Sequence, residues 1–337
     1  MQVISKKTER KIVVLGTGGT IAGTAVDARD GIGYTAAQLG VGQLIAAIPA
    51  LQDLMVDARC ELISEQVAQL DSKDMSFAVW QTLLARTAHW LAQPQVQGVV
   101  ITHGTDTLEE TAFFLHLALP AALLAAKPVV LTCAMRPATA LNADGPQNLL
   151  DSVVAALAPG ASGVVAVCAG TVHDAADVQK IHTYRLDAFS SGDATPLGYI
   201  EEGAVRLLRP WPTVAEPVTN EIAHCPSNPN DWPRVEILMN HAGAGALVVD
   251  ALLAQLANGQ GSPLRGIVVA GTGNGSLHHD LEVALLRAQA SGVAVRRSTR
   301  CATGRVIPAP NAVIAHSEGL SPVKARIALM LELMASA

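Results

Sequence analysis

The sequence predicts an α/β fold of two domains, and three observations predict it. Five Val/Ile-rich runs read as strands: KIVVLG (11–16), GVVIT (98–102), PVVLTC (128–133), GVVAVC (163–168) and GIVVAG (266–271). Each is continuously apolar, as strands covered by helices on both faces are, which points to a mainly parallel sheet. Helical periodicity fills the intervals 35–48, 74–92, 107–119, 145–157 and 279–290, so strands and crossover helices alternate. Between 209 and 233 the pattern stops, and six prolines fall in RPWPTVAEPVTNEIAHCPSNPNDWP. That stretch reads as a linker. The predicted organisation is a larger N-terminal α/β domain over 1–211, a linker over 212–233 and a smaller C-terminal α/β domain over 234–337. A last helix (321–334) opens with Ser321 at N-cap and Pro322 at N1, and its Met/Leu stripe reads as core.

Bulk properties narrow the function. The chain has 337 residues, half of them hydrophobic and 15% charged, with a formal charge of −6. Such a chain folds compactly, and its mild acidity argues against nucleic acid as a partner. Arg296, Arg297 and Arg300 read as the solvated end of a strand. The five cysteines (60, 133, 168, 225 and 301) show no metal-ligand spacing, so no metal is expected. Cys133 and Cys168 sit in apolar runs and read as small buried hydrophobes, which fits a reducing compartment. The longest apolar region, 112–135, is interrupted by His116, Pro120 and Lys127 and does not read as a membrane span. Lys6, Lys7, Arg10 and Lys11 resemble a signal peptide's charged start, but IVVLG is too short to follow them as its apolar core. The expected location is the cytoplasm.

The stretch KIVVLGTGGTIAG (11–23) carries the main functional question. A dinucleotide fingerprint needs G-x-G-x-x-G/A; Gly16 and Gly18 fit, but the sixth place is Ile21. No acidic residue lies between 36 and 52, where the ribose partner belongs. Neither this loop nor GTGNGS (271–276) supplies a Walker lysine. Thr20 lies just past a strand's carboxyl end, where open α/β sheets bind ligands. The following AGTAVDARDGIGYT (22–35) has the composition of a movable lid, with Tyr34 closing it and Thr35 capping the next helix. The alternative reading is that Thr17 and Thr20 merely satisfy turn backbone.

A second stretch, GVVITHGTDTLEETAFFL (98–115), reads as strand, loop and helix, with Thr107 and Glu110 as a capping box. Thr105 and Asp106 then lie in a loop at another strand's carboxyl end. A Thr hydroxyl needs a base to act as nucleophile. Alternation turns His103 away from Thr105. Lys180 is the other candidate, if burial lowers its pKa; a neighbouring Asp106 would instead favour its charged form.

These residues together resemble the bacterial L-asparaginase family, the homotetrameric type. GTGGTIAG (16–23) and GVVITHGTDTLEETAFFL (98–115) carry the match, supported by DSKDM (71–75), AMRPATALNADGPQNLL (134–150), PLGYI (196–200) and AGTGNGS (270–276). The resemblance implies an amidohydrolase that releases ammonia from asparagine, and in some members glutamine, through an acyl-enzyme. It implies Thr20 as nucleophile with Tyr34 on the lid, and Thr105, Lys180 and Asp106 as a second triad. It implies that Asp106 holds the substrate's α-amino group and Ser72 its α-carboxylate, with Lys73 beside them. Asn274 would reach the site of a neighbouring subunit in a dimer of dimers. No organic cofactor or metal is implied. Amides of the HGTD loop would stabilise the oxyanion, each worth roughly 3 to 4 kcal/mol.

The chain departs from that family in two places. Lys73 stands where members carry Gln or Glu, and a cation there repels an α-ammonium. After CATG (301–304), RVIPAPNAVIAHSEG offers no acidic residue until Glu318. The alternatives are therefore the same mechanism on another small amide or a D-amino-acid amide, or an amino-acid-binding homologue without turnover.

Overall fold

The computed structural model describes residues 10–213, 225–259 and 261–336. Lys6 and Lys7 of the N-terminal basic cluster, and 214–224 of the expected linker, lie outside the described residues. The chain divides into two compact units, Met1–Ile222 and Ala223–Ala337.

The first unit is built on strands β1 (Arg10–Gly18), β2 (Cys60–Leu70), β3 (Val96–Thr102), β4 (Val129–Thr132), β5 (Val164–Cys168), β6 (Thr171–Asp174), β7 (Gln179–Lys180), β8 (Phe189–Ser190), β9 (Gly198–Glu201) and β10 (Ala204–Leu207). Its helices are α1 (Val41–Ala46), α2 (Pro49–Ala58), α3 (Phe77–Leu91), α4 (Leu108–Ala118), α5 (Ala121–Ala126) and α6 (Gly145–Leu157). Eight strands form one sheet in the order β10-β9-β6-β5-β4-β3-β1-β2, and β7 pairs with β8 apart from it. β2, β1, β3, β4 and β5 run parallel; β6, β9 and β10 are joined antiparallel. Ile12–Leu15, Val99–Ile101 and Val129–Leu131 are fully buried, which is why these strands carry no polar alternation. Helix α6 lays Leu149 and Val153 on this core with Val14, Val100, Val130 and Val165.

This order matters for the site. From β1 the chain moves to β2 on one side; from β3 it moves to β4 on the other. The direction of winding therefore reverses between β1 and β3. At such a switch point the two following loops diverge and leave a crevice beyond the strands' carboxyl ends.

The second unit has three parallel strands, β11 (Arg234–Met239), β12 (Leu264–Gly271) and β13 (Ala294–Thr299), in that order. Helices α7 (Leu247–Ala257), α8 (His279–Ala290) and α9 (Pro322–Ala335) accompany them. Val249, Ile267, Val269, Leu285 and Val295 form its core. Ser321 caps α9 by accepting from the Lys324 amide, and Ile327, Leu329, Met330 and Met334 are buried, as the sequence predicts.

Several expectations need correction. The helix expected over 35–48 forms only over Val41–Ala46, and a second helix begins at Pro49. Thr35 caps neither: its amide donates to Thr24 and the two residues form a β-bridge. Helix α1 starts after Gly40, and Pro49 ends the run by opening α2. The capping box does not form. Thr107 is the N-cap of α4, but its hydroxyl donates to the Ser72 carbonyl at 2.8 Å instead. Strand β2 escapes the sequence reading because it is a sheet edge; CELISEQVAQL alternates polar and apolar and buries no residue fully. Arg296 and Arg297 are not simply solvated: they lie within β13 and pair with Glu332 and Glu282 at 2.6 Å.

Candidate active site

Three loops converge at the switch point, and glycines let them. The chain leaves β1 through Gly18 and Gly19, at φ 101° and 80°. Both values lie in the left-handed region, where a side chain is strained. A Cβ on Gly19 would fall 2.4 Å from the Gly104 backbone nitrogen, and one on Gly104 would fall 2.4 Å from Ser72 Oγ. The loops after β1 and β3 thus touch backbone to backbone, and the loop after β2 meets Gly104 through the Ser72 side chain. Thr17 ties two of them by donating to the Thr102 carbonyl at 2.9 Å, buried. Thr17 thus satisfies backbone, although at the end of a neighbouring strand and not in a turn.

Thr20 differs. It opens a short 3-10 turn, Thr20–Ala22, and is 7% exposed. Its Oγ1 lies 2.7 Å from the Tyr34 hydroxyl. The lid that brings Tyr34 there is fastened at several points. Thr24 and Thr35 bridge across its base, Ala138 donates to the Gly23 carbonyl, and Leu141 donates to Ala28.

The loop after β3 holds the second hydroxyl. Lys180, in β7, donates from Nζ to Thr105 Oγ1 at 2.8 Å and to Asp106 Oδ1 at 2.6 Å. The Thr105 hydroxyl points to the same Oδ1 at 3.4 Å. Thr105 is buried, the Lys180 side chain is 17% exposed and the Asp106 side chain 54%. The structure therefore brings Thr105, Asp106 and Lys180 into one cluster, and Thr20 and Tyr34 into another. Sequence reasoning missed Glu109, whose carboxylate accepts the Lys180 backbone amide at 3.0 Å and so fixes β7 against α4. An acid in the first turn of a helix carries no signal beyond the helix dipole.

His103 is buried and turned away, as alternation predicts. Trp80 Nε1 donates to Thr111 Oγ1 at 2.9 Å, so Thr111 donates onward to His103 Nε2 at 2.9 Å. That leaves Nδ1 to donate to the Gly104 carbonyl at 2.8 Å. Burial pushes the His103 pKa down to about 4, so the ring is neutral. It serves as a strut for Gly104.

Ser72 is buried at the turn after β2, and its Oγ accepts the Asp106 amide at 3.2 Å. With its lone pair engaged, its hydroxyl hydrogen is available to an anion. Lys73 points outward and pairs with Asp71 at 2.9 Å. That hydrogen bond, then the Asp71 charge, raises its pKa and keeps it protonated. Asn274 belongs to the second unit, where its amide exchanges two hydrogen bonds with the Ile307 backbone, at 2.9 and 2.7 Å. Among the described residues no group of three or more His, Cys, Asp or Glu could hold a metal ion.

Two hydroxyls at the switch point of a parallel sheet, each paired with a proton-handling side chain, define a site for nucleophilic attack on a small molecule. Residues 11–213 match the family model for the N-terminal asparaginase domain, and residues 234–336 match that for the glutaminase/asparaginase C-terminal domain. The chain is 39% identical to L-asparaginase 2 of Escherichia coli, over 96% of this chain and 88% of that one. It is 34% identical to the glutaminase-asparaginase of Pseudomonas fluorescens, over 98% and 88%. A crystal structure of a probable cytoplasmic L-asparaginase from Campylobacter jejuni superposes with a TM-score of 0.85 at 36% identity, covering 96% of this chain and 95% of that one. The chain belongs to the asparaginase family.

Two predictions test this geometry. Gly19→Ala places a methyl group against Gly104 in a strained conformation, and should lower stability by at least about 2 kcal/mol, read as a shift in denaturant midpoint. For His103 the folded pKa lies below the unfolded 6.5, so the unfolded chain takes up the proton first as pH falls. Its contribution is therefore lost between about pH 6.5 and 4, by up to about 3 kcal/mol. Denaturant titrations across that range should show a shallower pH dependence for His103→Gln than for wild type.

Proposed function

We propose that the protein hydrolyses L-asparagine to L-aspartate and ammonia, with Thr20 as the nucleophile. The observation that carries this reading is the pairing of Thr20 with Tyr34, and of Thr105 and Asp106 with Lys180 of β7, where the loops after β1 and β3 flank the switch point. The family of the chain supplies the reaction class.

The steps follow from the groups present. The Thr20 oxygen attacks the side-chain amide carbon while its proton passes to the Tyr34 oxygen and Tyr34 gives up its own hydroxyl proton for the leaving nitrogen. The C–N bond breaks, ammonia leaves with a proton returned to it, and an aspartyl ester remains on Thr20. Water, its proton drawn by the Thr105–Lys180–Asp106 cluster, hydrolyses the ester. Of the HGTD loop amides, His103 donates to Thr132 and Asp106 to Ser72, which leaves Gly104 and Thr105 for the oxyanion. Ser72 donates to the α-carboxylate. Asp106 engages Lys180 through Oδ1 and keeps Oδ2 for the α-ammonium. Holding both ends of a small zwitterion fixes its amide carbon, which is catalysis by positioning.

Lys73 fits this reading better in three dimensions than in sequence. Its charge is exposed and countered by the Asp71 ion pair and by Asp74, although it also bears on Asp106; on this reading the countered charge admits an α-ammonium. L-Glutamine is a second substrate on this reading. The assembly is a homotetramer, a dimer of dimers, in which Asn274 of one subunit completes the site of another, and the protein works in the cytoplasm. Leu247 and Val248, 85% and 56% exposed on α7, support an interface between copies. Light scattering should return a tetramer; a fully active monomer would count against the shared site.

Substitution separates the roles. Thr20→Ala and Thr105→Ala should each lower turnover by at least about a hundredfold with little change in melting temperature; near-wild-type ammonia release by either removes that residue from the mechanism. Lys73→Gln should alter KM for L-asparagine by less than about threefold. Asp71→Asn, which releases the lysine's charge toward the site, should raise KM by about two- to fivefold.

A further inference from the structure

Strands β4 and β5 end side by side; Cys133 directly follows the last residue of β4, and Cys168 is the last residue of β5. Their parallel register pairs Thr132 with Val167, which places Cys133 opposite Cys168. The two Sγ atoms lie 3.5 Å apart. Both residues are buried, at 1% and 4% exposure. The surrounding backbone is clamped at this point. Asn148 of α6 donates from Nδ2 to the Cys133 carbonyl at 2.9 Å and accepts the Ala169 amide on Oδ1 at 3.0 Å. Thr132 Oγ1 donates to the Val167 carbonyl at 2.9 Å. The two thiols are therefore held in mutual contact by a framework that joins both strand ends.

We infer that Cys133 and Cys168 are a reversible oxidation site, closing to a disulfide when the protein meets a hydroperoxide. One thiolate takes the terminal peroxide oxygen, giving a sulfenic acid and releasing the alcohol, or water when the oxidant is hydrogen peroxide. The partner sulfur then displaces the sulfenic oxygen, which leaves as water with the remaining thiol proton. Two thiols and one hydroperoxide thus become one disulfide, one alcohol and one water, with two electrons passing from sulfur to oxygen. Adjacent strands lie about 4.8 Å apart, within the Cα separations that disulfides span. The sulfurs need only close from 3.5 Å to about 2.05 Å. Burial raises the Cys133 thiol pKa, so closure is slow and needs sustained oxidant, while the held partner makes the second step efficient.

The site described above lies within reach. Lys180 and Asp144 both bear electrostatically on the Cys133 sulfur. The Thr132 carbonyl, one residue before Cys133, accepts the His103 amide of the HGTD loop. Asp144 holds the Met135 and Arg136 amides just after it, each at 2.9 Å. Drawing the two strand ends together moves this frame against Lys180 and the loop, and displacements of about 1 Å in such frames cost turnover up to a hundredfold. Closure therefore lowers turnover, and reduction restores it.

The test is a peptide map with kinetics. The full-length protein carrying Cys60→Ser, Cys225→Ser and Cys301→Ser is treated with hydrogen peroxide, quenched, denatured and alkylated. The expected result is a Cys133–Cys168 cross-linked peptide two hydrogens lighter than the dithiol pair. Ammonia release from L-asparagine should fall at least about tenfold and recover with dithiothreitol. Adding Cys168→Ala to that background should abolish both the cross-link and the reversible loss. Both thiols remaining alkylatable after treatment, or a reversible loss that persists in Cys168→Ala, overturns the proposal. A cross-link with unchanged turnover overturns the coupling to Lys180. The activity arm rests on the reading given under Proposed function; the peptide map does not. A protein that releases no ammonia before treatment defeats that reading, while the cross-link still decides the oxidation site.

Discussion

The contact between Gly19 and Gly104 is the constraint on which the rest of the site depends. Two loops from neighbouring parallel strands meet there with no side chain between them. Any other residue at either place would push the loops apart. Because they meet, Thr20 stands beside Tyr34 on one side and Thr105 beside Lys180 on the other, with Ser72 packed beneath Gly104. The approach is available only where the winding of the sheet reverses, between β1 and β3. Elsewhere along the sheet a crossover helix fills the corresponding space.

The polar groups around that contact divide into supports and the groups proposed to react. Thr17, Thr107 and His103 hold backbone carbonyls, and Thr111 links Trp80 to the neutral His103 ring, which carries that packing to the Gly104 carbonyl. Trp80 is itself stacked on Phe114, with ring centroids 4.7 Å apart. Thr20, Thr105 and Asp106 instead hydrogen-bond to other side chains, Thr20 to Tyr34 and the other two to Lys180. Side chains of one chemical type thus do different work according to whether their hydrogen bonds end on the main chain or on another functional group. Preorganisation of this kind lets hydroxyls of ordinary acidity take part in acyl transfer.

Much of this was legible in the sequence. The buried strands showed as unbroken Val/Ile runs because helices cover both faces, and the two glycine- and threonine-bearing loops followed directly from the strand ends. Ser321 and Pro322 marked the start of α9 through local chemistry alone. What stayed hidden depended on tertiary partners. Edge strand β2 alternates like a surface segment. The Thr107–Glu110 spacing signals a capping box, yet the Thr107 hydroxyl is drawn away by Ser72, 35 positions earlier in the chain. The Lys73 charge reads as adverse from sequence, but in the fold it is paired with Asp71. Glu109, and the meeting of Cys133 with Cys168, rest on strand and helix neighbours that no local pattern announces.

The central claim is that the oxygen of Thr20 forms a covalent bond to the substrate's amide carbon at the point where these loops meet. The most direct measurement is acid quenching of the protein during turnover of L-asparagine, followed by peptide mass mapping. The account predicts an aspartyl ester on the peptide carrying Thr20 and on no other. An ester carried by Thr105 instead, or by any residue away from the Gly19–Gly104 contact, would contradict it.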